Sequence, residues 1–137
     1  MNFRNKNNVK KIMIVEDELL VAHEIESALL KDKYEICSIA VTGEESLKAA
    51  EEMKPDLVLM DILLSSDMTG VEAACEMYKR HGTPIIFLTA YADEKTLEDA
   101  FMAHPYGYLV KPVREKDIRT AVKMAFHMIQ REKNGKH

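Results

Sequence analysis

The sequence predicts a doubly wound α/β domain, in which a parallel sheet of five strands is covered by helices on both faces. Three observations support this fold class. Five short apolar runs alternate with five amphipathic stretches, which is typical of repeated βα units. The chain has 137 residues, 47% hydrophobic and 31% charged, which suits one compact domain. Four of the apolar runs are followed by a charged or hydroxyl side chain.

The five predicted strands are the apolar runs, which are rich in Ile, Leu and Val. They cover residues 11–15, 34–40, 57–60, 85–88 and 108–110. The second run is less apolar than the others, so we expect it near an edge of the sheet. Pro55 precedes the third strand, Gly82 and Pro84 precede the fourth, and Pro105 and Gly107 precede the fifth. These residues interrupt regular structure and therefore mark the strand boundaries.

The five predicted helices lie between and after the strands. They cover residues 19–31, 42–50, 71–78, 93–101 and 114–129. Thr42 is the expected N-cap of the second helix, with Glu45 in capping-box register, and Asp93 is the expected N-cap of the fourth. Apolar residues of the last helix recur at helical spacing, namely Ile118, Ala121, Val122, Ala125, Met128 and Ile129. This spacing predicts that one face of the last helix packs on the sheet.

The polar ends and the composition set the expected organisation and exclude several classes. We expect residues 1–8 to form a flexible arm, 9–130 the domain, and 131–137 a solvated tail. The net charge is −4 and the basic residues are scattered, so direct binding to nucleic acid is not expected. No apolar stretch reaches the length needed to span a membrane, and we expect a cytoplasmic protein. Cys37 and Cys75 are expected to be buried, reduced thiols.

Polar side chains follow four of the strands at the point where each strand ends. Glu16 and Asp17 follow the first strand, Asp61 the third, Thr89 the fourth and Lys111 the fifth. Because the strands are predicted to be parallel, these residues should lie at one edge of the sheet. That edge is where open α/β sheets bind their ligands. Taken alone, Asp17 could equally be the N-cap of the first helix.

This combination of side chains predicts phosphoryl chemistry with a divalent cation. Converging carboxylates repel one another unless a cation is present, and Mg²⁺ prefers oxygen ligands. Lys111 and Thr89 would neutralise the oxygens of a phosphoryl group in transfer. Asp61 is then the predicted nucleophile and an aspartyl phosphate the product. Ala90 leaves space beside the site, and the peptide bond before Pro112 is a candidate cis bond.

The same residues resemble the receiver domain of two-component response regulators. The resemblance extends from about residue 9 to residue 128 and is carried by four motifs in the right order. These are the pair Glu16-Asp17, Asp61 within LVLMDILL, Thr89 within FLTAYAD, and Lys111-Pro112 within YLVKP. The segments DMTGVEAA and LTAYADEKTLEDA are similar to receivers attached to sensor histidine kinases. The implied fold is flavodoxin-like, with strand order 2-1-3-4-5.

The resemblance implies a role for each site residue. Glu16, Asp17, Asp61 and the backbone carbonyl of Leu63 would bind Mg²⁺. Asp61 would accept phosphate from a histidine kinase or a histidine phosphotransfer protein. Thr89 and Tyr108 would be the switch residues that alter the surface formed by the fourth helix, last strand and last helix. That surface would contact a downstream protein or an attached domain, and it is a candidate homodimer interface.

The sequence departs from the usual family pattern at several positions. The acidic pair is Glu16-Asp17 rather than two aspartates. Leu63 and Tyr91 flank the acceptor and should hinder an attacking water, so slow loss of phosphate is expected. Pro105 replaces a small-residue turn and affects the expected shape of the output surface.

Other functions are less well supported by the residues. A flavin site would need Ser or Thr after the first strand, where the chain has Glu16-Asp17-Glu18. An aspartyl-phosphate hydrolase would need a second acid where the chain has Leu63. His23 precedes Glu24, as in kinase phosphodonor helices, but no glycine-rich ATP-binding motif is present. A phosphoacceptor switch is therefore expected rather than an enzyme. It would be either a free-standing receiver or the front of a longer regulator or hybrid kinase.

Overall fold

The computed structural model describes residues 9–90 and 93–135, in which five parallel strands form one sheet. In chain order the strands are β1 (Lys11–Val15), β2 (Glu35–Ala40), β3 (Leu57–Asp61), β4 (Ile85–Thr89) and β5 (Gly107–Val110). Their order across the sheet is β2-β1-β3-β4-β5, which confirms the predicted topology. The less apolar strand β2 lies at an edge, as its composition predicted. The architecture is flavodoxin-like.

Five helices cover the sheet on both faces. They are α1 (Leu19–Leu30), α2 (Gly43–Met53), α3 (Gly70–His81), α4 (Glu94–Ala100) and α5 (Glu115–Asn134). The sheet contributes Ile12, Ile14 and Leu59 to a core shared with α1 and α5, and Met13, Met60 and Phe87 to a core shared with α2, α3 and α4. Successive strand residues point to opposite faces, so the apolar runs are buried on both sides. The result is a three-layer domain.

Helix α3 is longer than the sequence predicted, by one residue at its start, where a capping box begins it, and by three at its end. The hydroxyl of Thr69 accepts a hydrogen bond from the backbone N–H of Glu72, and the Glu72 carboxylate accepts one from the N–H of Thr69. Gly82, in the left-handed conformation, ends the helix. The paired bonds satisfy two helix donors that would otherwise lack partners. The helix therefore starts at Gly70 and not at Val71.

Other helix ends differ from the sequence prediction in detail. The Thr42 hydroxyl accepts from the N–H of Glu45 as predicted, but the Glu45 carboxylate accepts from Val41 and does not complete the box. Asp93 caps α4 through the N–H of Thr96. Helix α4 ends at Ala100, where a 3₁₀ turn (Phe101–Ala103) replaces the predicted last helical residue.

The carboxyl-terminal part of the described chain is helical. Helix α5 continues to Asn134, so residues 131–134, which were predicted to be a solvated tail, are exposed residues of a helix. Cys37 and Cys75 form no disulfide and are half-buried, less buried than expected. Among the described residues, no helix is both long and apolar enough to cross a membrane. The predicted arm, residues 1–8, lies outside the described residues.

Candidate functional site

The polar residues that follow four of the strands meet at the carboxyl-terminal edge of the sheet. The strand register places Val15 beside Met60, Asp61 beside Leu88, and Thr89 beside Val110. Four neighbouring strands therefore end at nearly the same level. This alignment brings the residues that follow them to a single edge, as the sequence predicted.

Three carboxylates form a compact cluster at this edge. One carboxylate oxygen each from Glu16, Asp17 and Asp61 lies within 4.8 Å of the other two. Glu16 is fully buried, Asp61 is 3% exposed, and Asp17 is partly exposed at the opening. A set made only of oxygen ligands suits Mg²⁺, and the mutual repulsion of the carboxylates favours a cation. The donors present therefore fit this metal.

Lys111 provides the positive charge of the cluster. Its Nζ lies 2.7 Å from Oε1 of Glu16 and 3.2 Å from Oδ2 of Asp61. A third carboxylate, that of Glu18, lies 3.6 Å from the same nitrogen. Burial by itself would lower the pKa of Lys111, but the hydrogen bond to Glu16 and the charges of Asp61 and Glu16 raise it above its usual value. Lys111 is therefore a protonated ammonium. The Lys111–Pro112 peptide bond is cis.

The two acids that follow β1 have opposite pKa shifts. Burial raises the pKa of Glu16 to about 7, against the opposing hydrogen bonds from Lys111 and the Glu18 backbone. Burial would also raise the pKa of Asp17, but hydrogen bonds from Ser65 outweigh this effect and lower it. Near neutral pH, Asp17 is therefore ionised, whereas Glu16 is present in both its protonated and its ionised form. The protonation of Glu16 is thus sensitive to any cation that enters the cluster.

Backbone N–H groups hold the carboxylates in place. The N–H of Leu63 donates to Oδ1 of Asp61 at 3.0 Å, and that of Ser65 donates to Oδ2 of Asp17 at 2.9 Å. Asp17 therefore bonds to the loop after β3 and is not the N-cap of α1, which was the alternative considered from sequence. The N-cap position belongs to Glu18, whose side chain makes no capping bond.

Gly70 is a site residue that the sequence analysis missed. A Cβ atom at this position would lie 1.9 Å from the backbone oxygen of Asp61. Helix α3 therefore packs its first residue directly against the strand that carries Asp61. The sequence contains a signal for this helix start in the Thr69-x-x-Glu72 pattern, but it contains none for the close approach to Asp61. Glu18 and Ser65 were also missed, because their contacts depend on how the two loops face each other.

Asp17 and Asp61 of this cluster line an open cleft of about 340 Å³, whereas Glu16 is buried behind it. The walls of the cleft are formed by Asp17, Glu18, Asp61, Leu63, Ser65, Ala90 and Lys111. Larger cavities of about 520 and 490 Å³ lie at the amino-terminal ends of the strands and between α3 and α4. The smaller cleft is the chemically relevant one, because it contains Asp61 and Lys111. Ala90 lines it as predicted, and Tyr91 lies outside the described residues.

The two predicted switch residues, Thr89 and Tyr108, have buried hydroxyls that make no hydrogen bond among the described residues. The Tyr108 ring packs near Phe87 and Phe101, with ring centroids 6.0 and 6.1 Å apart. Neither residue lines the cleft. The structure thus brings the acids, Lys111, Leu63 and Ala90 together, and leaves the hydroxyl of Thr89 outside that group.

Comparison with known proteins gives a consistent result. The family model for the response regulator receiver domain matches residues 12–123. The transcriptional regulatory protein PdtaR of Mycobacterium tuberculosis is 35% identical over 116 residues, which are 85% of this chain and 56% of PdtaR. The chain thus spans about half the length of this relative.

Solved structures are similar over nearly the whole chain. The signal receiver domain of a modulated diguanylate cyclase from Desulfovibrio desulfuricans G20 has a TM-score of 0.85 and 33% identity, covering 91% of this chain and 99% of that one. A CheY-like response regulator receiver domain protein from Methanospirillum hungatei JF-1 has a TM-score of 0.82 and 30% identity, covering 93% and 100%.

Proposed function

This chain belongs to the response regulator receiver domain family, and on that premise we propose that it is a phosphoacceptor switch. Asp61 accepts a phosphoryl group, and the acceptance changes a surface of the domain. The observation that carries the proposal is the contact of one ammonium, that of Lys111, with the buried carboxylates of both Glu16 and Asp61. A charged site of this kind is suited to hold a transferring phosphoryl group.

Asp61 is the best placed nucleophile of the cleft. Its carboxylate lies at the cleft floor, and its Oδ1 is oriented by the N–H of Leu63. In the proposed reaction a carboxylate oxygen of Asp61 forms a bond to phosphorus. The phosphorus–nitrogen bond of a phosphohistidine breaks, and the electron pair returns to the imidazole, which takes up a proton. The product is an aspartyl phosphate.

Glu16, Asp17 and Asp61 would hold Mg²⁺, together with the backbone carbonyl of Leu63 that the family resemblance implies. The metal, when bound, would neutralise negative charge on the phosphoryl oxygens. The 4.8 Å limit on the distances between the three carboxylate oxygens supports this assignment. Asp17 remains ionised near neutral pH because the backbone of Ser65 stabilises its charge.

Lys111 would contact the phosphoryl group after transfer. Its ammonium already lies 3.2 Å from Oδ2 of Asp61, so a small displacement would bring it to an oxygen carried by that carboxylate. A phosphoryl group adds about −1.5 to −2 charges. The ammonium offsets part of that charge within a region where the neighbouring side chains are acidic.

Thr89 and Tyr108 would convert phosphorylation into a change of surface. Their buried hydroxyls lack partners, and a buried hydroxyl without a hydrogen bond is unfavourable. A phosphoryl oxygen on Asp61 would give the Thr89 hydroxyl an acceptor, and its movement would leave room for the Tyr108 ring. The exposed side chains of Phe101 and Met102 lie on the 3₁₀ turn that follows α4, and that of Val110 lies on β5. This surface would change with the switch.

The partner that supplies phosphate would be a histidine kinase or a histidine phosphotransfer protein. The output would be a downstream protein or an attached domain contacting the surface made of α4, β5 and α5, which is also a candidate homodimer interface. The attached-domain alternative is supported by the Desulfovibrio relative, whose receiver belongs to a diguanylate cyclase. We propose that the receiver itself does not contact nucleic acid. We also propose that the protein is located in the cytoplasm.

The test is phosphorylation by a small donor. Wild type and Asp61→Asn would be incubated with acetyl phosphate and Mg²⁺, and the attached phosphate measured by intact mass. Asp67→Asn is the matched control, because Asp67 is an exposed aspartate of the same loop. We expect phosphate on wild type and Asp67→Asn and none on Asp61→Asn. Equal labelling of all three proteins would contradict the assignment. Continuous phosphoester turnover that survives Asp61→Asn would instead indicate an enzyme.

A further inference from the structure

We propose that Glu18 is a positioning residue that holds the Lys111 ammonium at the mouth of the cleft and thereby slows the acceptance of phosphate. This inference rests on the proposed function of Asp61. It concerns a residue outside the three-carboxylate cluster, and it predicts that removing one negative charge makes phosphorylation faster.

The first observation is the unequal exposure of the three carboxylates around Lys111. Glu16 and Asp61, whose side chains are 0% and 4% exposed, contact the ammonium from its buried side. Glu18, 67% exposed, contacts it at 3.6 Å from the solvent side. The ammonium therefore lies between the cleft floor and the carboxylate of Glu18. An incoming anion must approach Lys111 from the side where Glu18 lies.

The second observation is that the carboxylate of Glu18 has no role in beginning helix α1. Glu18 occupies the N-cap position, where acidic and hydroxyl side chains usually bond to the first turn. Its side chain makes no such bond. Its backbone N–H donates to Oε2 of Glu16 at 3.1 Å, which fixes the backbone beside the cleft. The carboxylate is therefore directed to the cleft, whose lining it joins, and not to the helix.

The third observation concerns which partners Lys111 can keep. Glu16 and Asp61 belong to the cluster that could hold a cation, whereas Glu18 does not. Any cation held by that cluster competes with Lys111 for Glu16 and Asp61. Glu18 is then the carboxylate that retains Lys111, and a phosphoryl oxygen must displace it. Glu18 thus opposes the step in which Lys111 turns to the phosphoryl group.

The test is the rate of phosphorylation by acetyl phosphate in Mg²⁺ at low ionic strength. Glu18→Gln removes the charge and keeps the shape, and Glu24→Gln is the matched control, an exposed glutamate of α1 outside the cleft lining. We expect Glu18→Gln to be faster by about fivefold, the factor carried by unit charges at about 4 Å in water. The Glu24→Gln variant should match wild type. An unchanged or slower rate in Glu18→Gln would overturn the inference.

A double variant separates positioning of Lys111 from a general charge effect. Lys111→Met and the double variant Lys111→Met with Glu18→Gln would be compared under the same conditions. We expect the two rates to be equal, because Glu18 acts through Lys111. A fivefold gain that persists without Lys111 would overturn the inference. The same experiments distinguish this inference from the proposed function. If the proposed function is wrong, wild type will carry no phosphate that depends on Asp61. If only the role of Glu18 is wrong, that labelling will remain.

Discussion

The Nζ of Lys111 forms a 2.7 Å ion pair with Oε1 of Glu16 across the end of the sheet, with the Lys111 and Glu16 side chains 15% and 0% exposed. Lys111 follows β5 and Glu16 follows β1, and two other strands, β3 and β4, lie between them. The pair therefore joins strands that are not neighbours. Because Glu16 is fully buried, its charge depends on this ammonium for compensation in the metal-free protein.

Replacing Lys111 by Met should destabilise the metal-free protein by about 3 kcal/mol, because it leaves buried carboxylates without their cation. The matched control is Lys31→Met. Lys31 pairs with Glu115 at the same distance of 2.7 Å, but these side chains are 55% and 45% exposed, so the loss should stay below about 1 kcal/mol. Urea unfolding in a chelating buffer near pH 8 measures both values. Equal losses would mean that burial does not strengthen the Lys111–Glu16 pair.

The raised pKa of Glu16 should make the metal-free protein lose stability as pH rises. Burial raises this pKa from 4.5 to about 7. Between these values the folded state binds a proton that the unfolded state releases, so the free energy of unfolding falls as pH rises through the window. Glu16→Gln should lack this decline. Chemical denaturation from pH 4.5 to 7.5 in the presence of a chelator measures the free energy of unfolding of both proteins. An equal decline with pH in wild type and Glu16→Gln would show that groups other than Glu16 cause it.

The affinity for Mg²⁺ should also depend on the protonation of Glu16, but it should increase as pH rises, whereas stability decreases. If Glu16 is a ligand, the metal would require its ionised form, so the apparent affinity for Mg²⁺ should increase by about tenfold per pH unit below pH 7 and level off above it. Calorimetric titration at several pH values measures this dependence. Glu16→Gln should bind Mg²⁺ more weakly and with little pH dependence in this range. A wild-type Mg²⁺ affinity that does not change with pH would contradict the role of Glu16 as a ligand.

Gly70→Ala should disturb both the fold and the position of Asp61, the proposed acceptor. The added methyl would lie 1.9 Å from the backbone oxygen of Asp61, and relieving such overlap costs about 3 kcal/mol. Gly107→Ala is the control, because a Cβ there meets nothing within 4 Å. We expect unfolding measurements to show a large loss for Gly70→Ala and a change within about 0.5 kcal/mol for Gly107→Ala. Phosphorylation of Gly70→Ala should also be slower. A neutral result would show that α3 can shift away from β3.

Thr89→Val should leave the unphosphorylated protein at least as stable as wild type. The Thr89 hydroxyl is buried without a partner, and removing it avoids a penalty of about 1 kcal/mol. Ser46→Ala is the contrasting control, since the Ser46 hydroxyl donates a buried hydrogen bond to the carbonyl of Gly43 at 2.7 Å. That variant should lose about 1 kcal/mol. Thermal unfolding with and without acetyl phosphate should show that Thr89→Val gains less from phosphorylation.

The elements of this fold were predictable because each one carries a local signal. The strands are apolar on both faces, as strands of a parallel sheet must be when helices cover both sides, and Pro and Gly separate them from the helices. The boundaries of α3 were missed by one residue at its start and by three at its end. The Thr69–Glu72 capping box was present in the sequence, but the glycine that follows Thr69 was read as the end of the loop.

The site was predictable as a set of side chains, and its internal arrangement was not. Parallel strands that end at one level bring Glu16, Asp61 and Lys111 to one edge whatever their separation in the chain. The contact of Glu18 with Lys111 depends on how far a long side chain reaches across two intervening strands. The lack of a hydrogen-bond partner for the buried Thr89 hydroxyl depends on how the folded segments pack around it. Neither quantity has a local signal in the sequence.

The amino-acid order alone determined the layer architecture and the chemical identity of the groups at the sheet edge, and its resemblance to receiver domains implied the strand order. Tertiary structure decided which carboxylates share the ammonium of Lys111, why residue 70 is a glycine, and which hydroxyls lack partners. The physical reason is that hydrophobic periodicity is a property of residues that are close together in the sequence. Electrostatic pairing and steric fit are instead set by distances between segments that only the folded chain brings together.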